Sequence, residues 1–420
     1  MTESTVASPP EETRGGARAL WIILLVAWLG WMFDGMEMGL YSVLAHPALK
    51  ELLRTEDPAV IGKYAGVMFA LFLLGCSAGG FVFGRLGDKI GRVKTMIITV
   101  LIYSVFTGVS ALSRNAWQFG ACRFLGAMGL GGEWGLGVAL VMETWPNAKR
   151  PVLAGLLGSS ANVGFLVSSL VNLQFGHLGW RIIFCIGLAP ALLSLVIRFV
   201  VKEPERWVKA RERGERPDLR QLFEPELRRK TVMACLIAAV ALIGTWGVFQ
   251  WIPTWVAAMV GGKATHERAI TAMWMALGQI LGAFIGGPAA EWLGRRASYA
   301  IYCLGSLAST IVLYSVVTAY GAQLLALAAV AGFFTTTFFG WLPLYLPELF
   351  PTRIRATGEG ISFNFGRIIA AFMVFAGTGQ LVAAFGGSFA RAGVVMSLIY
   401  VIGLFLIWAV PETKGSKLPD

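Results

Sequence analysis

A few ionisable residues lie in stretches otherwise too apolar to hold them, and their types limit what they can do. ISFNFGRIIAAFMVFAG (361–377) carries Arg367 with no acid within four residues. A guanidinium cannot shed its proton, so it needs an anionic partner or a wet cavity. WLGWMFDGMEMGL (28–40) carries Asp34 and, three residues on and hence on much the same helical face, Glu37. RFLGAMGLGGEWG (123–135) carries Arg123 and Glu133. An acid beside an arginine favours the carboxylate, and moving the arginine away or drying the site favours the acid form. Such a pair can load and release a proton. An unpaired arginine flanked by amides can instead hold a substrate carboxylate at two points.

The elements that position these residues are membrane helices. The chain of 420 residues is 56% hydrophobic and 14% charged, with mean hydropathy +0.67. Twelve apolar stretches are each long enough to cross about 30 Å of hydrocarbon. They are 19–45, 64–86, 93–113, 117–142, 151–173, 180–201, 231–258, 267–293, 297–318, 321–346, 356–384 and 389–410. Of 35 Lys and Arg, 24 fall in segments on one side of these spans or at the span edges facing it, 8 likewise on the other side, and 3 (Arg123, Arg198 and Arg367) further inside. By the positive-inside rule both termini are then cytoplasmic, and the net charge of +11 orients the chain rather than marking a nucleic-acid partner. The five cysteines all fall in spans without a C-x-x-C pair, which argues against a disulfide framework or metal site. Residues 1–18 read as a disordered cytoplasmic tail without a cleavable leader. The segment 202–230, with ten basic and seven acidic residues, reads as a cytoplasmic linker with a short amphipathic helix, and 411–420 as a cytoplasmic tail. The linker separates a six-helix half, 19–201, from a second, 231–410.

Depth follows from 1.5 Å per helical residue. Asp34 lies roughly 22 Å from the cytoplasmic start of its span and Arg123 roughly 9 Å from the outer start of its own, so both fall in the outer half and are expected to pair. Glu37, somewhat nearer the outer mouth, is expected to be an alternative or auxiliary carrier. Glu133, roughly 24 Å down its span, is expected at the cytoplasmic gate, with a second proton stop as the sharper reading. Glu359 reads as a helix-start or gate residue, and Arg198 as snorkelling to the cytoplasmic surface. Arg367, roughly 17 Å in, lies near the midplane with Asn364 one turn below and Asn162 at similar depth, which describes a carboxylate pocket.

The two halves also repeat. GRLGDKIGR (84–92) and GGPAAEWLGR (286–295) align Asp88 and Arg92 with Glu291 and Arg295; ETWPNAKR (143–150) and ELFPTRIR (348–355) align Glu143 and Arg150 with Glu348 and Arg355. These motifs resemble the major facilitator superfamily over about 19–410, and RFLGAMGLGGEWG with the ETWP stretch is most similar to its metabolite–proton symporter branch, which includes sialate, lactate-type monocarboxylate and aromatic-acid symporters. The resemblance implies an all-α fold of twelve transmembrane helices in two halves that rock about a central site. It implies a cytoplasmic gate of Arg85, Asp88, Arg92, Glu133, Glu143, Arg150, Glu291, Arg295, Glu348 and Arg355. It further implies that spans 1, 5, 7, 8, 10 and 11 line the cavity, with Tyr41, Asn162, Gln250, Trp251, Gln279, Phe338 and Asn364 as candidates.

The expected function is proton-coupled symport of a small organic anion such as lactate, pyruvate, sialate or an aromatic acid. Arg367 would hold the carboxylate, and Asp34, modulated by Arg123, would carry the proton. No cofactor beyond that coupling ion is expected, and the chain is expected to act as a monomer in the bacterial inner membrane. A neutral sugar is the alternative substrate; a cation is disfavoured by a positive charge at midplane. The three histidines lie near outer loops and no nucleophile–base constellation is visible, so an enzyme is not expected.

Overall fold

The computed structural model describes residues 14–192, 197, 200–214, 217–249, 251–261, 265–372 and 379–419. Gln250 and Arg198, and most of the expected N-terminal tail, lie outside them. The described residues are helical, with no strand among them. The helices of the first half are α1 (Arg14–Leu53), α2 (Pro58–Ile90), α3 (Arg92–Ser110), α4 (Ala116–Thr144), α5 (Arg150–Phe175) and α6 (Trp180–Ile186). The linker contributes α7 (Glu205–Glu212). The second half comprises α8 (Pro225–Ile243), α9 (Ile252–Val260), α10 (Thr265–Leu293), α11 (Arg295–Val316), α12 (Ala322–Leu349), α13 (Arg355–Phe372), α14 (Gly379–Ala384), α15 (Phe389–Ser397) and α16 (Ile399–Leu406). Among the described residues ten helical stretches are long and apolar enough to cross a membrane. The other two expected spans, 180–201 and 356–384, run across residues outside the description.

Two spans differ from their sequence-based expectation. Helix α1 begins at Arg14 and continues to Leu53, well past the expected end at 45. The seventh span is not a regular α-helix throughout: α8 passes into a π-helical stretch, Gly244–Phe249, before α9. Thr245 marks the irregularity, since its hydroxyl donates to Ala241 O at 2.9 Å and to Thr335 O at 3.3 Å, tying the loosened turn to α12.

Small residues let the helices pack closely. Helix α2 lies along α4 and α10 along α12, the same pairing in each half, while α1 lies along α5. A Cβ at Gly79 would sit 1.8 Å from Met128 O, and one at Gly282 1.9 Å from Phe333 O. The turns α2–α3 and α10–α11 both require positive φ, +120° at Gly91 and +93° at Gly294, which explains the glycine of each repeated motif.

The loops carrying the repeated charged motifs share one face of the molecule with the linker, called here the basic face. There the halves meet. Helix α2 packs on α13, where Gly80 lies against Gly360 and Asn364; α5 packs on α10 and α12, where Gly155 lies against Phe284 and Gly158 against Phe339. Nearer the opposite face a cavity of about 290 Å3 is lined from both halves, by Met38, Tyr41, Ala45, Ala65, Gly66, Phe69, Phe72, Phe165 and Trp246.

Candidate functional site

Arg367 is 6% exposed on α13. Its Nη1 donates to Asn364 Oδ1 at 3.1 Å, and its guanidinium lies 4.9 Å over the Phe363 ring, which stacks on Trp134 at 3.9 Å. No carboxylate among the described residues forms an ion pair with it. Asn364 does more than flank this arginine. Its Nδ2 donates to Gly131 O of α4 at 3.1 Å and to Gly360 O at 2.9 Å, and its backbone oxygen accepts from the Ser77 hydroxyl of α2 at 3.2 Å. It thus positions Arg367 between α2, α4 and α13 instead of presenting a free amide.

The expected Asp34–Arg123 pair is not formed. Arg123 Nη1 bonds Glu37 Oε1, which also accepts from Thr107 Oγ1 at 3.1 Å. The arginine is enclosed by the rings of Tyr41, Phe72 and Phe184, 5.0, 5.2 and 5.7 Å from its Cζ. The correction has a geometric origin. Arg123 lies level with the residue three positions beyond Asp34, a displacement of roughly 4.5 Å along α1 that counting from uncertain span ends could not resolve. Asp34 is 3% exposed, and its Oδ1 has no hydrogen-bond partner among the described residues. It lies within electrostatic reach of Arg367, Glu133 and Glu37.

Of the other cavity candidates, Tyr41 lines the cavity and its hydroxyl donates to Ala65 O at 3.3 Å. Asn162 is buried on α5 without a bond to Arg367, and Gln279 is half-buried on α10, its backbone oxygen accepting from Thr336 at 2.9 Å. Phe338 is a core residue: it is wholly buried among Tyr299, Tyr302 and Tyr400 at 5.0, 5.9 and 6.1 Å. Trp251 does not line the cavity; Trp246, on the π-helical stretch, does, 6.1 Å from Phe69. Phe69, Phe72, Phe165 and Met38 were missed because apolar residues in spans read by default as packing or lipid contacts. The signal for the first two is their i, i+3 spacing beside the glycine-rich face of α2.

On the basic face the repeated motifs build the same unit twice. Arg92 pairs with Asp88 at 2.6 Å and Glu143 at 3.0 Å and donates to Gly87 O at 2.9 Å; Arg295 pairs with Glu291 at 2.7 Å and Glu348 at 2.7 Å and donates to Ala290 O at 3.0 Å. The links between halves are not repeated. Arg355 reaches across to Glu143 at 2.8 Å, Arg92 donates to Thr352 O at 2.7 Å, and Asp88 caps α13, accepting from the amides of Ala356 at 3.2 Å and Thr357 at 2.8 Å and from the Thr357 hydroxyl. Arg150 forms no ion pair with Glu348 among the described residues, and its buried Nε is unpartnered. Arg85 is exposed and, with Lys89, Trp207, Arg211 and Arg353, lines a groove of about 610 Å3 under the linker.

Glu133 is not part of this network. It is 2% exposed, both its carboxyl oxygens lack hydrogen-bond partners, and it faces α1, where a Cβ at Gly30 would lie 1.8 Å from its Oε1. Glu359, wholly buried beside the Arg355–Glu143 pair, also has both oxygens unpartnered. Two further acids escaped the sequence reading. Glu203 accepts from the amides of Val93 and Lys94, both at 3.2 Å, and Glu412 from those of Arg295 and Arg296, both at 2.9 Å, so each half caps its third span with a glutamate following its sixth. The KEPE (202–205) and PETK (411–414) stretches carried that signal.

Comparison with known proteins agrees with this architecture. The model of the Major Facilitator Superfamily matches residues 20–265, and that of the Sugar (and other) transporter family matches 242–415. A Haemophilus influenzae protein, described only by class as a metabolite transport protein, is 31% identical over 409 residues, covering 95% of this chain and 98% of its own. The cis,cis-muconate transport protein of Acinetobacter baylyi is 29% identical over 408 residues, covering 93% and 94%. The solved proton:xylose symporter XylE superposes with a TM-score of 0.79 at 20% identity, over 96% of this chain and 98% of its own, a likeness of fold. Two duplicated six-helix halves around a shared cavity, joined at one face by the repeated charged motifs, place this multi-pass membrane protein in the major facilitator superfamily of transporters.

Proposed function

We propose that the chain is a proton-coupled symporter of a small organic anion, working by alternating access across the bacterial inner membrane with the basic face cytoplasmic. The observation that carries this reading is Arg367: a buried guanidinium bonded only to an amide and a ring, with no carboxylate paired to it among the described residues. Asp34 lies within electrostatic reach of the guanidinium but forms no ion pair with it, so the fork can meet a substrate carboxylate with two parallel hydrogen bonds. The apolar and aromatic lining of the cavity suits an acid with a flat or apolar body, such as an aromatic or unsaturated carboxylate, better than a polyhydroxylated sugar. The similarity to a muconate transporter supports the same class. Closure of the basic face, with the cavity nearer the opposite side, corresponds in this reading to a state sealed towards the cytoplasm.

The test is uptake into liposomes under an inward proton gradient, with labelled benzoate, muconate, lactate, pyruvate, sialate and xylose. Accumulation of one or more carboxylates, abolished by a protonophore, is expected. Accumulation of xylose with no carboxylate would replace this reading with sugar symport.

A further inference from the structure

Two buried acids of this cluster are left over by every ion pair. Glu37 and Arg123 neutralise each other. Asp34 and Glu133 do not enter any ion pair among the described residues, and Asp34 Oδ1 and both Glu133 oxygens are buried without hydrogen bonds. The two are neighbours: Glu133 rests against Gly30, one turn before Asp34 on α1, and lies within electrostatic reach of Asp34. The charged and titratable groups facing them are Glu37 on Asp34's own helix α1, Cys76 on α2, Tyr103 on α3, Arg123 on Glu133's own helix α4 and Arg367 on α13. Of the described groups facing the pair, Arg367 is the positive charge that forms no ion pair.

We propose that Asp34 and Glu133 form a proton-sharing carboxyl pair, and that this pair, rather than an Asp34–Arg123 switch, sets one proton taken up per substrate carboxylate. The argument is charge accounting in a site where net charge is expensive. Without substrate, two carboxylates stand against one guanidinium, and a single shared proton makes the cluster neutral. When a monocarboxylate enters at Arg367 it brings one more negative charge. A second proton, drawn from the open side of the membrane onto the carboxylate still ionised, restores neutrality, and both protons and substrate then face a cluster of zero net charge. Release of the substrate anion on the other side leaves the cluster positive by one, so one proton dissociates with it. Each cycle moves one proton and one anion. The proposal rests on the carboxylate reading above for its second step, but not for the existence of the pair.

Infrared difference spectroscopy of the purified transporter without substrate, recorded between alkaline and acid buffer, reads the pair directly. A carboxylic-acid band is expected in the wild type and is expected to weaken in both Glu133→Gln and Asp34→Asn. The remaining acid should titrate at a displaced pH in each variant, because its partner's charge is gone. A band untouched by either substitution, or two acids that titrate independently, overturns the pair. Gly30→Ala supplies a second variant that keeps both acids. The added methyl meets only the movable end of Glu133 and, at 3.6 Å, Met96, so the fold should survive while the glutamate is pushed from its seat. Its spectrum should change as in Glu133→Gln, and an unchanged spectrum would overturn the placement. In liposomes, gradient-driven benzoate accumulation should fall to the level that exchange alone supports in the double variant Asp34→Asn/Glu133→Gln, which keeps no carboxylate of the pair to protonate, whereas full accumulation at one proton per benzoate in that variant would overturn the coupling role. If the wild type carries no carboxylate, the proposed function fails, and the infrared result still decides the pair.

Discussion

Arg367 has its orientation fixed by neighbours while its charge stays uncommitted. Asn364 ties α13 to α2 and α4 and then spends its oxygen on the guanidinium, so the arginine cannot swing to a distant acid. Arg367→Gln should therefore weaken carboxylate binding about ten- to hundredfold, the scale of a hydrogen bond to a charged group. Arg367→Lys should recover only part of this, because an ammonium offers no planar fork. Equilibrium binding of labelled benzoate to purified protein measures both, and unchanged affinity in either would make the residue structural. What could be read in the sequence at this scale was residue type and approximate depth. Facing could not be read: an error of one residue in a helix start shifts depth by about 1.5 Å but turns the face by about 100°. Tyr41 lines the cavity, whereas Arg367 is not among its lining residues, Phe338 turned into the core and Arg123 met Glu37 instead of Asp34.

At the scale of elements, the repeat extends further than the two motifs that announced it. Glu203 and Glu412 each close the N-terminus of a third span, α3 or α11, immediately after the positive-φ glycine that ends the preceding turn. They stayed hidden because a capping residue that is distant in sequence leaves no local pattern, unlike one such as Asn115 before α4. Burial would raise the Glu412 carboxyl, but the backbone amides of Arg296, Arg295 and Lys414 outweigh it and hold the group below its ordinary value. A depressed folded-state value means its stabilisation is complete above the unfolded carboxylate value of about 4.3 and is lost as pH falls through the folded value. Glu412→Gln should accordingly lower stability by about 1 kcal/mol at neutral pH, in the range of a lost cap. In thermal unfolding the variant and the wild type should converge as the pH drops below 4.3, towards the depressed folded-state value. A gap that stays constant with pH would remove the carboxylate from the account. The π-helical stretch in the seventh span was likewise unreadable, since GTWGVF is apolar enough to continue an α-helix and the bond from Thr245 to α12 appears only in the structure.

For the whole molecule, duplication gives symmetry within each half and asymmetry between them. The inner ion clusters of Arg92 and Arg295 match bond for bond, as two copies of one motif should. The seams between halves do not match. The α2–α13 seam is held by Asp88 on the first amides of α13 and by Arg355 on Glu143, whereas at the α5–α10 seam Glu291 is half-exposed and bonds Arg295 alone among the described residues, leaving glycine packing to close the gap. The sequence showed both motifs equally and gave no means to rank them, because the difference lies in which helix N-terminus the acid meets. Opening the basic face then requires breaking charge-assisted bonds on one side and mainly separating packed surfaces on the other. Asp88→Asn should raise the amide exchange of residues 355–358 about ten- to hundredfold, the loss expected for hydrogen bonds to a charged acceptor. Glu291→Gln should leave the corresponding start of α5, residues 150–153, unchanged. Exchange measured by mass spectrometry in both variants checks the pair of outcomes together: equal effects at the two seams would mean that the duplicated motifs latch the halves symmetrically, and that the ionic α2–α13 seam is not the one that governs opening.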